Sequence, residues 1–449
     1  MRERNSEKNP SLLYIETYGC QMNEYDSDRI ASALGAEKTP EPSLADYIVV
    51  NTCAIREKAD HKAFSSVGKF KGLKAAKPEV VIGMAGCVAQ LYGDAMLKKN
   101  PHLDFVIGPR AIPKLPALIA DIEQSRESER IRKSETSFDV EETFAISPAH
   151  DKSRVSAFVS VQQGCNKRCA YCIVPTVRGD EVNRPLADIL SETRMLVSKG
   201  AKEITFVGQT VNSWKGEGEK FSDLLRAAAE TEGLERIRFT TPYPRDITRK
   251  MIEAMRDTPK VCRHIHLPVQ SGSDRVLKLM NRTYTSGWYL EAVDRLRDAI
   301  PDIAVSTDVI VGFPGENGDD FAQTMDLLEK ARFDSSFSFK FSPRPGTPAA
   351  AADEQISSET SDGRLAVFQE RQREITLESN RAREGRDEEV LVSGEGKHGN
   401  GWMTGRTTHN RIVNFIGDAS LAGSLVKVRV TDGLANSLRG EIAGEEIVA

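Results

Sequence analysis

Short apolar runs rich in Ile and Val recur along the first 120 residues: Leu12–Thr17, Tyr47–Asn51, Glu79–Met84 and Asp104–Ile107. Longer stretches of helical spacing lie between them, among them Asp26–Leu34 and Ile55–Phe70. Strands alternating with helices predict βαβ units and an open parallel sheet. The rhythm stops near residue 121, where Glu123–Arg130 and its surroundings turn charged and rich in Ser and Glu. Such a composition buries little apolar surface, so residues 123–150 are expected to be a linker.

From Val155 the alternation resumes. Val155–Val161, Glu203–Val207, Arg236–Thr240, His264–Leu267, Ala304–Val311 and Ser335–Phe341 read as strands, separated by helices such as Pro185–Ser198, Asp274–Met280 and Asp319–Ala331. Six such units suit a partial (βα)6 barrel better than a closed eightfold one. A long charged helix is expected over Ser358–Arg383. Beyond Asp387 the pattern becomes short strands with Gly and Asn turns: Glu389–Ser393, Gly401–Arg406, Arg411–Phe415 and Ser424–Val430. That tail predicts a small antiparallel β-barrel. The expected division is therefore 11–122, a linker over 123–150, 151–384 and 385–449.

Composition changes this picture little. Apolar content is ordinary and the net charge is −5, which describes a globular chain without a blanket electrostatic grip on nucleic acid. No window approaches the roughly eighteen consecutive apolar residues of a membrane span, and Met1–Pro10 has no apolar core of a signal peptide. A cytoplasmic protein with no membrane partner is expected, in a compartment where clustered cysteines signal metal more often than disulfides.

The cysteines carry the chemistry. Six of the seven fall into two sets of three. Cys165, Cys169 and Cys172 form a C-x3-C-x2-C loop directly after a predicted strand, at the barrel face where sites are built. Lys167 and Arg168 inside that loop offset thiolate charge. A structural zinc site would need a fourth ligand close by, yet the next histidine is His264. Cys20, Cys53 and Cys87 each follow a predicted strand of the N-terminal sheet. Their strand ends share one edge, where open α/β sheets bind ligands, and Gly19, Gly83 and Gly86 permit close backbone approach. The bland alternative is three separate buried thiols acting as small hydrophobes. Three thiolates leave one iron of a cubane cluster open. Cys262 reads as core.

The Cys165–Cys172 loop, with Tyr171 before its last cysteine, resembles the signature of radical S-adenosylmethionine enzymes. The whole chain resembles the methylthiotransferase family through Tyr18–Ser27, Asn51–Arg56, Gly86–Gln90 and Val177–Pro185, and its tail resembles a TRAM domain. This resemblance implies two [4Fe–4S] clusters, the radical cluster on Cys165, Cys169 and Cys172 and an auxiliary cluster on Cys20, Cys53 and Cys87. It implies two molecules of S-adenosyl-L-methionine per turnover, one methylating sulfur and one yielding the radical, with a sulfide source and a reductant. Gln21–Ser27 and Thr404–Phe415 resemble the branch that methylthiolates C2 of isopentenyl-adenosine at position 37 of tRNA. Branches acting on threonylcarbamoyl-adenosine 37, or on an aspartate of a ribosomal protein, are the alternatives. The implied partners are a tRNA anticodon stem-loop, an electron donor such as flavodoxin or ferredoxin, and a carrier for cluster assembly or repair, with the chain itself a monomer.

Runs at predicted strand ends resemble cofactor contacts of the radical superfamily, which implies Gly208 and Gln209 for the methionine amino group, Gln270, Ser271 and Gly272 for the ribose or carboxylate, and Val311 and Gly312 for adenine; a simple turn is the alternative for each. Arg178, Glu181 and Arg184 are candidates because arginine forks onto a carboxylate; a surface charge run is the plainer reading. In the tail, Arg406, Arg411, Lys427 and Arg429 are candidate RNA contacts, with Trp402 nearby and Phe415 expected in the barrel core. His264 and His266 share one strand face, where lining roles suffice.

Overall fold

The computed structural model describes residues 10–55, 57–125, 130–138, 144, 154–397, 399 and 401–448. The chain divides into two compact units, the first comprising residues 1–150, 163–167 and 172–181, the second 151–162, 168–171 and 182–449. The central cysteine loop is thus shared out between them.

In the first unit the elements run β1 (Ser11–Thr17), α1 (Gln21–Leu34), β2 (Ala36–Lys38), β3 (Tyr47–Thr52), α2 (Glu57–Lys69), α3 (Lys71–Ala76), β4 (Val81–Gly86), α4 (Cys87–Tyr92), α5 (Asp94–Lys99), β5 (Phe105–Ile107), α6 (Leu115–Gln124), β6 (Lys133–Glu135) and α7 (Val174–Arg178). The sheet order is β2-β1-β3-β4-β5-β6, with every pairing parallel. Its central strands β3 and β4 are continuous buried runs because helices cover both faces. One helical layer packs Ala63, Val67 and Val88 on Ile48 and Ile82; the other packs Ile30, Leu115 and Ile119 on Val49 and Val81.

The two edge strands escape the sequence pattern. β2 reads Ala-Glu-Lys and β6 reads Lys-Ser-Glu. An edge strand is held by backbone hydrogen bonds on one side and faces solvent on the other, so it needs no apolar signature. β6 lies within the stretch expected as linker; residues 126–129, 139–143 and 145–150 of that stretch are outside the described residues.

The second unit contains β7 (Ser156–Ser160), the short β8 (Gln162–Gln163, at the division between units) and β9 (Val182–Asn183), then α8 (Leu186–Ser198), β10 (Glu203–Val207), α9 (Phe221–Ala229), β11 (Arg236–Phe239), α10 (Arg249–Asp257), β12 (His264–His266), α11 (Asp274–Leu279), α12 (Ser286–Ala299), β13 (Ala304–Val311), α13 (Gly318–Ala331), β14 (Ser335–Lys340) and α14 (Ser358–Arg381). The six expected barrel strands are present. They pair as two parallel sheets, β11-β10-β7 and β12-β13-β14. Between β11 and β12 the ladder narrows to one bridge, Ile237 with Val261, and Cys262 donates its N–H to the Ile237 carbonyl at 2.9 Å. Cys262 is buried at that joint. The helical layer packs Ile189, Leu224, Tyr289 and Leu328 against Val159, Ile204, Ile265 and Val305.

The C-terminal β15 (Asp387–Glu395), β16 (Trp402–Thr407), β17 (Ile412–Ile416), β18 (Leu425–Gly433) and β19 (Leu438–Val448) close into a barrel of order β15-β16-β17-β19-β18. Its core is Val390, Val413, Val428 and the fully buried Phe415. β19 was not legible in the sequence, since its glycines and glutamates mask the alternation. It closes the ring by pairing parallel to β17 and antiparallel to β18. The small barrel is docked by buried arginines. Arg238 bonds the Glu203 carboxylate at 2.7 Å and the Thr407 carbonyl at 2.7 Å, and Arg236 bonds the Glu389 carbonyl at 2.9 Å. Among the described residues no helix is long and apolar enough to cross a membrane.

Candidate functional site

Cys20, Cys53 and Cys87 occupy equivalent positions just beyond β1, β3 and β4, three adjacent strands. Cys20 is the N-cap of α1 and Cys87 opens α4, so both thiols stand at helix starts. Burial raises Cys53 to about 12, and the neighbouring Cys87 and Cys20 add to the rise. Burial also raises Cys87, against the pull of Arg178. Cys53 and Cys87 therefore favour the protonated thiol, which a bound metal would displace. All seven cysteines are free thiols. Among the described residues no three His, Cys, Asp or Glu side chains are set for a single metal ion. A cluster, which spreads its thiolates over separate irons, places the sulfurs wider apart.

Two glycines shape this edge. Gly19 has φ +124°, and a Cβ there would overlap the Cys53 side chain. Gly86 has φ +91°, and a Cβ there would run into the Thr52 carbonyl. The cradle that a side chain would fill is thus kept open beside the thiols. Gly86→Ala is expected to cost at least about 1 kcal/mol in urea unfolding and to lower the iron retained after reconstitution. An unshifted urea midpoint would remove this role for the glycine.

Helix α7 completes the N-terminal cluster. Ile173 and Val177 pack into the same apolar core as Cys87, Val88 and Ala89, which sets Arg178 beside the thiols. Its Nη2 bonds the Asp26 carboxylate at 2.8 Å and Asn23 Oδ1 at 3.1 Å. Asn23 in turn donates to the Tyr18 and Thr52 carbonyls, each at 2.9 Å. Burial opposes the charge on Arg178, but Asp26, Cys87 and Cys20 raise its pKa above the ordinary guanidinium value. Arg178 is therefore committed to Asp26 and the N-terminal sulfurs. Asn23 and Asp26 lie within the Tyr18–Ser27 run, but nothing in the sequence pairs them with a residue 150 positions away.

The central loop is held at each end by its own neighbours. In the first unit the Cys165 N–H donates to the Gly179 carbonyl at 3.1 Å, and Cys165 Sγ accepts from the Lys167 N–H at 3.4 Å. The Glu181 N–H donates to Asn166 Oδ1 at 3.1 Å. In the second unit Ala170 donates to the Met280 carbonyl and accepts from the Ala349 N–H, both at 2.9 Å, while Tyr171 meets Phe313 edge-on. Arg282 donates to Cys169 Sγ at 3.4 Å and is itself fixed by Tyr284 Oη at 2.8 Å and the Pro268 carbonyl at 2.9 Å. Burial would lower Arg282, but Tyr171, Tyr284 and Cys169 raise it well above its usual value. Its guanidinium stands as a fixed cation beside the central loop. Arg282 was not singled out from the sequence, because its partner lies 113 residues earlier.

The remaining candidates are scattered by the fold. Gly208 and the half-exposed Gln209 follow β10; the Gly208 carbonyl accepts from Thr241 Oγ1 at 2.6 Å. Gln270 sits at φ +74° and is pinned through its backbone to Asp308 and Ile310. Ser271 and Gly272 seat α11 on α13: the Gly272 N–H donates to Thr324 Oγ1 at 3.0 Å and its missing Cβ leaves room for the Gln323 carbonyl. Val311 is buried in the barrel core, and Gly312 lies against Ser361 with its N–H on Glu316 at 3.0 Å. Arg184 is buried and paired with Glu192. His264 and His266 both bond Ser306 Oγ at 2.9 Å, and His266 reaches Asp308 at 3.2 Å.

Of the four tail cations, Arg406, Lys427 and Arg429 are exposed, with Arg429 on Asp387 at 2.8 Å. Arg411 is buried against Asp334, Asn380 and Ser379, where it ties the small barrel to α14 and β14. Trp402 is half-buried beneath the Arg439 guanidinium, 5.4 Å from its ring.

Comparison with known proteins covers the same three regions. Residues 12–108 match the uncharacterized protein family UPF0004, 159–328 the radical SAM superfamily and 381–443 the TRAM domain. A protein of Syntrophus aciditrophicus (strain SB) is 47% identical over 443 residues, covering 97% of this chain and 95% of its own length. One from Aromatoleum aromaticum is 44% identical over 445 residues, covering 97% and 99%. Both are named tRNA-2-methylthio-N(6)-dimethylallyladenosine synthase. Among solved structures, the radical S-adenosylmethionine methyltransferase TsrM of Kitasatospora setae aligns with a TM-score of 0.58 at 13% identity, covering 76% of this chain and 75% of that one. The cobalamin-dependent radical enzyme OxsB aligns with a TM-score of 0.53 at 13% identity, covering 82% and 62%. These two likenesses concern the fold alone.

Proposed function

Because the chain belongs to the radical S-adenosylmethionine methylthiotransferase family of tRNA-2-methylthio-N(6)-dimethylallyladenosine synthases, we propose that it transfers a methylthio group to C2 of dimethylallyladenosine at position 37 of tRNA with two [4Fe–4S] clusters. The observation that carries the two-cluster reading is the trio of mutually interacting thiols at the ends of β1, β3 and β4, with Arg178 beside them. Cys165, Cys169 and Cys172 would hold the radical cluster, and Cys20, Cys53 and Cys87 the auxiliary one. Two three-cysteine clusters supply one open iron for S-adenosyl-L-methionine and one for the sulfur to be delivered.

The chain's own residues set the terms of this chemistry. Arg282 places a hydrogen-bond donor on Cys169 Sγ, and Arg178 balances the auxiliary thiolates while locking α1 to α7. Gly208, Gln209 and Gln270, at the ends of barrel strands, are the cofactor contacts this reading assigns, with Ser271, Gly272, Val311 and Gly312 shaping the turns behind them. Arg406, Lys427 and Arg429 supply exposed cations for RNA phosphates, and Arg411 secures the barrel that carries them. An external electron donor, a sulfide source and a cluster carrier complete the cycle of a cytoplasmic monomer.

Anaerobically reconstituted protein is expected to hold about eight irons per chain. In cells lacking the protein, nucleoside mass spectrometry is expected to show loss of the methylthio mark and accumulation of dimethylallyladenosine. About four irons would defeat the two-cluster reading. Accumulation of threonylcarbamoyl-adenosine would move the chain to the other tRNA branch.

A further inference from the structure

The proposed chemistry leaves unused a cavity of about 630 Å³ within the second unit, bordered by β14, α14 and the C-terminal barrel. Its volume lies in the range of small-ligand sites. Phe337 lines it from β14, the edge strand of its sheet, and is 60% exposed. Its ring meets His266 at 5.8 Å and 70°. The open face of that ring borders the cavity, and a flat ring is matched best by another flat ring.

Charge and hydrogen bonding narrow what that ring stacks on. Three arginines line the cavity, Arg373, Arg406 and Arg411, against a single carboxylate, Asp334, which Arg411 already engages. Among the described residues Arg373 pairs with the exposed Glu370, a weak pair that a phosphate can displace. Gln372 is 5% exposed; its Nε2 donates to the Phe333 carbonyl at 2.8 Å and to Thr376 Oγ1 at 3.1 Å, while its Oε1 has no hydrogen-bond partner among the described residues. The carbonyl partner fixes which end of that amide is nitrogen. The cavity therefore offers a stacking face, an excess of cations and one buried acceptor left unsatisfied. An unpaired base has a ring to stack and exocyclic amino groups to donate, and its phosphate needs the cations.

We propose that this cavity holds an unpaired nucleotide of the tRNA, its base on Phe337, its amino edge toward Gln372 and its phosphate on Arg406. This rests on the tRNA reading above and adds to it a place where the RNA is gripped. Arg406 belongs to β16 of the small barrel and is braced on Asn410 Oδ1 at 3.0 Å, so a barrel cation and the exposed ring border one cavity.

The test is fluorescence anisotropy of a labelled anticodon stem-loop RNA with the full chain. Phe337→Ala is expected to weaken binding about tenfold, the size of one lost stacking contact, with its melting midpoint kept because the side chain is largely exposed. Arg406→Gln is expected to reduce the slope of log affinity against log salt by about 0.7. Val367→Ala, an equally exposed apolar residue of α14 that does not line the cavity, is expected to bind like the wild type. Phe337→Ala binding within about twofold of wild type overturns the inference. So does AMP that binds the wild type without displacing RNA, since the cavity would then be a free-nucleotide site. Wild-type protein with no affinity for tRNA overturns the substrate reading itself, a separate failure.

Discussion

Cys53→Ala is expected to bring methylthio product down to background while 5′-deoxyadenosine continues to form from S-adenosyl-L-methionine. Cys53 stands at the end of β3, the middle of the three strands that bear the N-terminal thiols, and both partner thiols act on it. With Cys53 gone, the proposed auxiliary cluster would keep only two of its three assigned thiolates. Iron content is expected to fall from about eight to about four per chain. Cys169→Ala is expected to abolish cofactor cleavage itself, and product with it, because Cys169 belongs to the central loop assigned to the radical cluster. Full product from the Cys53 variant would end the two-cluster account, whatever its iron content.

Arg178→Ala is expected to damage both stability and the auxiliary site. The Arg178–Asp26 pair is 2.8 Å long, with side chains 3% and 1% exposed. Removing one partner of a buried pair costs about 3–5 kcal/mol because the other charge stays buried. Asp26 keeps a second, longer contact with Arg29 at 3.4 Å, which places the loss toward the lower end. Urea unfolding reads this term. Arg178→Met combined with Asp26→Asn removes the stranded carboxylate but also takes the Asp26 charge from buried Arg29, and is expected to recover part of the stability. It is not expected to recover iron retention, since the thiolates still lack their cation. Restoration of both together would reduce Arg178 to a structural role.

Much of the fold could be read along the chain because local periodicity and burial coincide there. β3 and β4 are buried on both faces, and each appears as a largely apolar run rich in Val and Ile. Where burial and pattern part, the reading stops. β2, β6 and β19 are short, charged or glycine-rich strands that backbone pairing alone brings into their sheets. Expectation also differed from placement at Arg178, assigned to a cofactor carboxylate yet engaged by Asp26, and at Arg411, assigned to RNA yet buried against Asp334. A guanidinium looks alike in sequence whether it faces solvent or closes an ion pair.

The cysteine spacings, the strand–helix rhythm and the family were thus written in the linear order of residues, because ligand spacing within a loop and side-chain period within an element are local properties. Which cation stands by which thiolate was settled only in three dimensions. Asp26 and Arg178, or Cys169 and Arg282, are joined by packing of α7 on α4 and by the turn after α11. So was the exposure of Phe337, which depends on β14 being the last strand of its sheet. Contacts between residues more than a hundred positions apart have no periodic trace to betray them, and only the folded core decides which pairs meet.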